Sequence, residues 1–179
     1  MSEIIAFAGS NSTKSINHQW VSFLSQQLVE PVNVIRLTDY QIPMYGIDYE
    51  KEIGFPKEVK RLYKDIKSAK AIILSVNEHN GAVSSYFKNV MDWLSRYDRI
   101  FLEDKPVLLT SNSPGKLAAG KAREYAEIAV ERYGGKLIAS FGLPSFEDNF
   151  DSEQQKLRDE TLLLGVKDTL SQFQQAITF

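Results

Sequence analysis

Ile4-Ile5-Ala6-Phe7-Ala8-Gly9-Ser10-Asn11-Ser12-Thr13-Lys14-Ser15-Ile16-Asn17 is the stretch on which the reading of this chain turns. A short apolar run ends abruptly at Gly9-Ser10, small polar residues follow, and an amphipathic helical pattern takes over from about Ser15. A strand that runs into a hydroxyl-rich turn at a helix start is a natural phosphate cradle. Backbone N–H groups, the positive end of the helix dipole and serine hydroxyls converge there on one point. A plain turn with Ser15 as helix N-cap would use the same residue types. The cluster of hydroxyls after the first strand favours an anion site. Neither the Gly-x-x-x-x-Gly-Lys-Ser/Thr loop nor the Gly-x-Gly-x-x-Gly fingerprint is present, so a monophosphate is the expected guest.

Outward from this stretch, short apolar runs rich in β-branched residues recur at Ile4–Ala8, Val32–Leu37, Ala71–Val76, Val107–Thr110 and Lys136–Phe141. They read as five strands, and Ala-Ile-Ile-Leu-Ser-Val is what a strand buried on both faces looks like. Helical spacings lie between them: Trp20, Phe23, Leu24 and Leu28; Val59, Leu62, Tyr63 and Ile66; Phe87, Val90, Met91 and Leu94; Tyr125, Ile128, Ala129 and Arg132. A last helix is expected from about Ser152 to Ile177, and Pro43 to Pro56 as one irregular loop. Alternating strands and helices imply an α/β fold, a five-stranded parallel doubly wound sheet in a three-layer sandwich, for which flavodoxin-like topology is the natural form. In such a sheet ligands bind beyond the carboxyl ends of the strands. Three loops rich in Gly, Ser and Asn should meet there: Gly9–Asn17, Asn77–Ser85 and Ser111–Gly120.

Composition narrows the function. The chain of 179 residues, 43% hydrophobic and 25% charged, reads as one soluble domain over 1–179. A net charge of −2, with both signs interspersed, argues against a nucleic-acid partner. The absence of cysteine removes disulfides, thiolate nucleophiles and cysteine-ligated metals. His18 and His79 are the only imidazoles, and no spacing suggests a metal site. No signal segment or membrane-length apolar run is visible, so a cytoplasmic protein without a membrane partner is expected.

The loop Asn77-Glu78-His79-Asn80-Gly81 leaves the most hydrophobic strand. Its N–H groups and amides suit the polar edge of a planar heterocycle, with the flat face of His79 beside it. In the helix Tyr86-Phe87-Lys88-Asn89-Val90-Met91-Asp92-Trp93-Leu94-Ser95-Arg96, Phe87, Val90, Met91 and Leu94 form a core-facing stripe, and Lys88 and Asp92 an i,i+4 pair. Trp93 lies off that stripe, which suggests a second apolar face and a subunit interface.

These motifs together resemble the NADPH-dependent FMN reductase family, flavodoxin-like proteins that include quinone, azo-dye and chromate reductases. Gly9, Ser10, Ser15 and Asn17 match the family's Gly-Ser-x-Arg-x-x-Ser-x-Asn loop, with Ser12 where the arginine usually stands. Ile42-Pro43-Met44-Tyr45 resembles Leu-Pro-x-Tyr, and residues 77–81 correspond to Pro-Glu-Tyr-Asn-Gly, with asparagine for proline and histidine for tyrosine. Phe87-Lys88-Asn89 through Asp92-Trp93 to Ser95-Arg96 matches the family's Leu-Lys-Asn-x-x-Asp-Trp-x-Ser-Arg helix, the most specific part of the likeness. Lys105-Pro106-Val107 and Ser113-Pro114-Gly115 look like its fourth strand and loop, so the likeness spans residues 3 to 141.

The resemblance implies bound FMN, reduced by NADPH or NADH, in a homodimer or homotetramer acting on a quinone-like or other small electron acceptor. Ser10, Ser12, Ser15 and Asn17 would take the phosphate; Asn77, Glu78, His79, Asn80, Gly81 and Ser113 would border the ring; Tyr45 would shape the substrate side. With serine at position 12, phosphate binding would rest on N–H groups, hydroxyls and Lys14. The cofactor carries the chemistry, so no residue is assigned as acid, base or nucleophile. Lys14, Lys116 and Arg123 are candidates for a 2′-phosphate. The alternatives are a flavodoxin-type electron carrier and a flavin-free interaction or regulatory domain.

Overall fold

The computed structural model of the protein describes residues 3–178. Its centre is a sheet of parallel strands, β1 Ile4–Ala8, β2 Val32–Val34, β3 Ala71–Val76, β4 Pro106–Asn112 and β5 Lys136–Leu143, arranged β2-β1-β3-β4-β5. The helices are α1 Ile16–Gln26, α2 Ile47–Ile53, α3 Lys57–Ser68, α4 Ser85–Tyr97, α5 Gly120–Arg132, α6 Phe146–Asn149 and α7 Glu160–Ile177.

Alternation along the strands divides the core in two. Ile4, Ala6, Ile73 and Leu108 pack with Trp20, Phe23, Val166 and Phe173 of α1 and α7. Ile5, Phe7, Leu74 and Leu109 pack with Leu62, Ile66, Phe87, Val90 and Val130 of α3, α4 and α5. Because β1, β3 and β4 are buried on both faces, they carry almost no polar residue until their carboxyl ends. Trp20 is fully buried, and its indole N–H donates to Thr110 Oγ1 at 2.8 Å, so its one polar atom is satisfied inside the core.

Four expectations need correction. The second strand ends at Val34, because its register with β1 is Ile4↔Val32 to Ala6↔Val34. Beyond it Leu37–Asp39 form a 3-10 turn that drops Leu37 into the core. Pro43–Pro56 is not wholly irregular, since it contains α2. The last helix starts at Glu160, where the Asp159 side chain accepts from Leu162 N–H as N-cap. The residues before it form a small hairpin, Phe150–Asp151 with Lys156–Leu157, which seats Phe150 and Leu157 against α1 and α7.

Trp93 is the fourth. Its side chain is fully buried, enclosed edge-on by Tyr45, Tyr49 and Phe55, and its indole N–H donates to Pro43 O at 2.8 Å. The second apolar face of α4 is covered by residues 43–55 of the same chain, not left for a partner. Arg96 then clamps the covering segment through a two-pronged ion pair with Glu50, whose other bond comes from Tyr45 Oη. That guanidinium holds the Glu50 carboxyl below the usual carboxylate range.

Candidate flavin site

The chain passes from β1 to β2 on one side and returns across β1 to β3 on the other. This reversal of direction opens a crevice at the carboxyl ends of β1 and β3. Gly9 closes β1 with an N–H bond to Ser75 O at 2.8 Å. A side chain there would strike the Phe87 ring at 2.8 Å, so only glycine lets α4 lie this close. Ser84 secures the approach, donating to Gly9 O while capping α4 through Phe87 N–H.

In the loop that follows, Ser10 Oγ accepts from Ser12 N–H, Ser12 Oγ from Lys14 N–H, and Ser15 Oγ from His18 N–H. Ser15 is thus the N-cap of α1. Among the described residues no acceptor meets the N–H groups of Asn11, Thr13, Ile16 or Asn17, and the first turn of α1 carries no acidic residue. Free N–H donors at the positive end of an eleven-residue helix form a surface suited to an anion. The Asn17 side chain is engaged beneath the loop: its Oδ1 accepts from Ser75 Oγ at 2.7 Å and from Asn112 N–H at 3.3 Å. It ties α1 to the ends of β3 and β4.

The segment after β3 is a two-residue hairpin, Glu78–His79 with Ala82–Val83. Asn80 and Gly81, at φ +52° and +74°, supply its turn, as an Asn-Gly pair between positive-φ positions does best. That dipeptide was the sequence signal for a hairpin where only a loop had been expected. The Glu78 carboxylate accepts from Ala122 N–H at 3.1 Å and so caps α5. His79 is exposed, with Asn77 Nδ2 3.4 Å from its Nε2. A cleft of about 550 Å³ opens beside the hairpin, lined by residues 79–83 with Lys88, Lys121 and Tyr125.

The third loop begins at Ser113, whose hydroxyl donates to Gly115 O. Ala118 and Ala119 both lie in the left-handed region, at φ +51° and +54°, and Ser111 Oγ–H holds the Ala118 carbonyl. Arg123 reaches inward to Ser111 Oγ and towards Glu127, whereas Lys14 and Lys116 are exposed. The structure therefore brings Ser10, Ser12, Ser15, Asn17, Asn77 and Ser113 to one edge of the sheet and sets Glu78, His79, Asn80 and Gly81 on the adjoining hairpin.

Tyr45 stands at the rim. Its N–H donates to Asn89 Oδ1 at 2.6 Å, and Asn89 Nδ2 donates to Pro43 O at 2.9 Å, so one buried amide fixes both sides of the Met44 peptide. Sequence reasoning missed this brace, since nothing in the local pattern links positions 43–45 to 89. Among the described residues no cluster of His, Asp or Glu could hold a metal, and no helix is long and apolar enough to cross a membrane.

Comparisons with known proteins bear on this arrangement. A protein of Mycoplasma pneumoniae whose function is uncharacterised is 34% identical over 115 residues, covering 62% of this chain and 68% of its own length. The quinone reductase of Escherichia coli strain K12 is 35% identical over 82 residues, 46% of this chain and 44% of its own, so the match spans under half of that enzyme. Among solved structures, the flavoenzyme NAD(P)H:(acceptor) oxidoreductase FerB of Paracoccus denitrificans superposes with a TM-score of 0.78 at 20% identity, over 99% of this chain and 97% of its own; this likeness is one of fold. The model of the family described as NADPH-dependent FMN reductase matches residues 2–143. The chain belongs to the NADPH-dependent FMN reductase family, whose members are NAD(P)H-dependent flavin oxidoreductases.

Proposed function

We propose that this chain holds FMN with its phosphate on the Gly9–Asn17 loop and its ring against the 77–81 hairpin and Ser113, and passes electrons from NADPH or NADH to a small quinone-like acceptor. The observation that carries the assignment is the set of N–H groups at Asn11, Thr13, Ile16 and Asn17 without acceptors among the described residues. Asn11 and Thr13 are exposed, Ile16 is half-buried and Asn17 buried, so the array faces outward and is completed by water or by an anion, of which a phosphate monoester satisfies it best. Two buried amide oxygens at the ends of β3 and β4, on Asn77 and Asn112, also have no partner among the described residues. The residues present therefore fit a ligand that joins an anion to hydrogen-bond donors.

Bound FMN would supply the redox chemistry, accepting hydride from the nicotinamide and giving two electrons to the acceptor. The chain's own groups bind and orient. Ser10, Ser12 and Ser15 hydroxyls, each already accepting from the loop backbone, keep their O–H free to donate to phosphate oxygens. Lys14 adds the positive charge that Ser12 does not. Asn17 is a positioning residue that sets the α1 start against the sheet. Glu78 positions the hairpin by anchoring it to α5, leaving His79, Asn80 and Gly81 to border the ring. Tyr45, locked by Asn89 and Glu50, limits the substrate side of the site.

The exposed apolar side chains of Tyr125, which lines the cleft, and of Leu117 and Ile128 support self-association as a homodimer or homotetramer. Dependence on a reduced nicotinamide donor supports the reading of a cytoplasmic activity. The test is ligand titration by flavin fluorescence: FMN should bind at least about tenfold more tightly than riboflavin, the phosphate contributing 1.4 kcal/mol or more. Equal affinity for the two would remove the phosphate from this loop.

A further inference from the structure

We infer that the aromatic side chains packed on Trp93 form a path for an oxidising equivalent, from Tyr45 on the rim of the flavin site to Tyr63 on α3, so that a radical formed in the site is quenched away from it. The start of the path rests on the flavin assignment above; the path itself does not. The chain holds two tryptophans, both fully buried, and their surroundings differ. The ring neighbours of Trp20 are Phe23, Phe141 and Phe150, at 5.4, 6.2 and 5.8 Å between centroids. Those of Trp93 are Tyr45, Tyr49 and Phe55, at 5.0, 5.7 and 6.1 Å. Phe55 then meets Tyr97 at 5.1 Å, and Tyr97 meets Tyr63 at 4.9 Å. Each ring lies edge-on to the next at contact distance, and Tyr97 follows Trp93 by four residues on one face of α4.

The hydrogen bonds fix what each ring does. Tyr45 Oη donates to Glu50 Oε2 at 2.9 Å, and Tyr63 Oη to Asp98 Oδ2 at 2.8 Å. A phenol that loses an electron loses its proton too, and at both ends a carboxylate is placed to take it. The Trp93 N–H donates instead to Pro43 O, a carbonyl that does not keep a proton, so an oxidised indole there stays a cation and draws an electron from its neighbours. Arg96 also binds Glu50 and favours its ionised form, which returns the proton to Tyr45 and makes Tyr63 the end of the path. With an oxygen-centred radical as oxidant, the class a reduced flavin forms with dioxygen, the steps balance. The radical takes one electron from Tyr45 as the phenolic proton passes to Glu50, and leaves as its reduced anion. Trp93 then gives Tyr45 an electron, and Glu50 gives back the proton. An electron from Tyr63, crossing the rings of Tyr97 and Phe55, refills Trp93, and the Tyr63 proton passes to Asp98. The phenoxyl is left beside Asp98, the C-cap of α4, at the end of that helix remote from its Ser84 cap and Gly9.

An ultraviolet flash that photoionises the indoles of the ligand-free protein, with an electron scavenger present, tests the path without flavin. Part of the indole radical absorption should decay into tyrosine phenoxyl absorption at a rate that dilution does not change. Trp20→Phe should keep this phase and Trp93→Phe should lose it. The variant combining Tyr45→Phe, Tyr49→Phe, Tyr63→Phe and Tyr97→Phe retains Trp93 and every ring, and should lose the phase as well; it decides the matter where Trp93→Phe does not fold. A phase that survives in that variant, that follows Trp20, that slows on dilution or that the parent lacks would overturn the inference. The protective role is read in turnover with NADPH. Tyr63→Phe combined with Tyr97→Phe, remote from the site, should start at the parent's rate, lose activity sooner than the parent in air, and last as long as the parent without oxygen. Equal lifetimes in air would overturn that role. A parent protein that binds no FMN would instead overturn the flavin assignment, and with it the site as the source of the radical, whereas the flash result bears on the path alone.

Discussion

The connection after β1, Gly9–Ser15, and the one after β2, Tyr40–Pro56, treat their polar groups in opposite ways. Around Pro43–Tyr45 side chains distant in sequence close the bonds: Pro43 O accepts from Asn89 and Trp93, Tyr45 N–H donates to Asn89, and Tyr45 Oη and Arg96 meet on Glu50. Around Gly9–Ser15 the hydroxyls accept from neighbouring N–H groups, while four further N–H groups at and after Asn11 have no acceptor among the described residues. The first region is scaffold and the second is the proposed site. Long-range side-chain bonds in the one against local hydroxyl bonds in the other, more than loop composition, separate them.

The comparison is broken most sharply at Trp93. Trp93→Ala should destabilise the protein by about 3–5 kcal/mol, because a fully buried indole and its bond to Pro43 O go together. Denaturant unfolding measures this, and a loss below about 1 kcal/mol would mean that segment 43–55 is not a structural cover. Next comes Ser15→Asp, which should lower FMN affinity about a hundredfold or more. A carboxylate roughly 5 Å from a phosphate costs about 3 kcal/mol at an effective dielectric near 20. Since Asp is as good an N-cap as Ser, stability should hold, so circular dichroism separates lost binding from lost fold.

A smaller effect sharpens the picture in the third loop. Ala119→Gly should raise stability by about 1 kcal/mol, or ~2–4 °C in melting temperature, by relieving a left-handed residue that has a Cβ. A drop instead would mean that the buried methyl outweighs the backbone strain. The smallest effect is a pH dependence. Glu50 has a folded-state pKa lowered chiefly by its hydrogen bond to Arg96, so its contribution is full above its unfolded value and fades as pH falls through the folded one. Melting temperatures of the parent and Glu50→Gln should therefore differ at neutral pH and converge in acid, below the ordinary carboxylate range. A constant gap down to acid pH would detach Glu50 from the latch.

Much of this was legible in the sequence, for physical reasons. Continuous apolar runs rich in β-branched residues gave β1 and β3 their bounds, since a strand buried on both faces has no other composition available. The Ser15 cap and the Gly9 turn were readable because their partners lie within a few residues or are demanded by close packing. What failed was set at long range. Val32–Leu37 looks like one strand, and only its register with β1 ends it at Val34. Trp93 looks free on a helical wheel, and only a segment some fifty residues earlier covers it. Glu78 also caps α5, whose first turn lies over forty residues on, and no local pattern announces that role. Asn112 looked like part of the loop after the fourth strand, and its place at the end of β4, with an unpaired oxygen, is visible only once the sheet and α1 are assembled.

The most direct test of the central claim is an absorbance spectrum of the purified protein with FMN, recorded before and after anaerobic NADPH. The account predicts a flavin spectrum altered by binding that bleaches promptly on addition of NADPH and returns when a quinone is added. A spectrum identical to that of free FMN, or a bound flavin that stays oxidised with both NADPH and NADH, would contradict it.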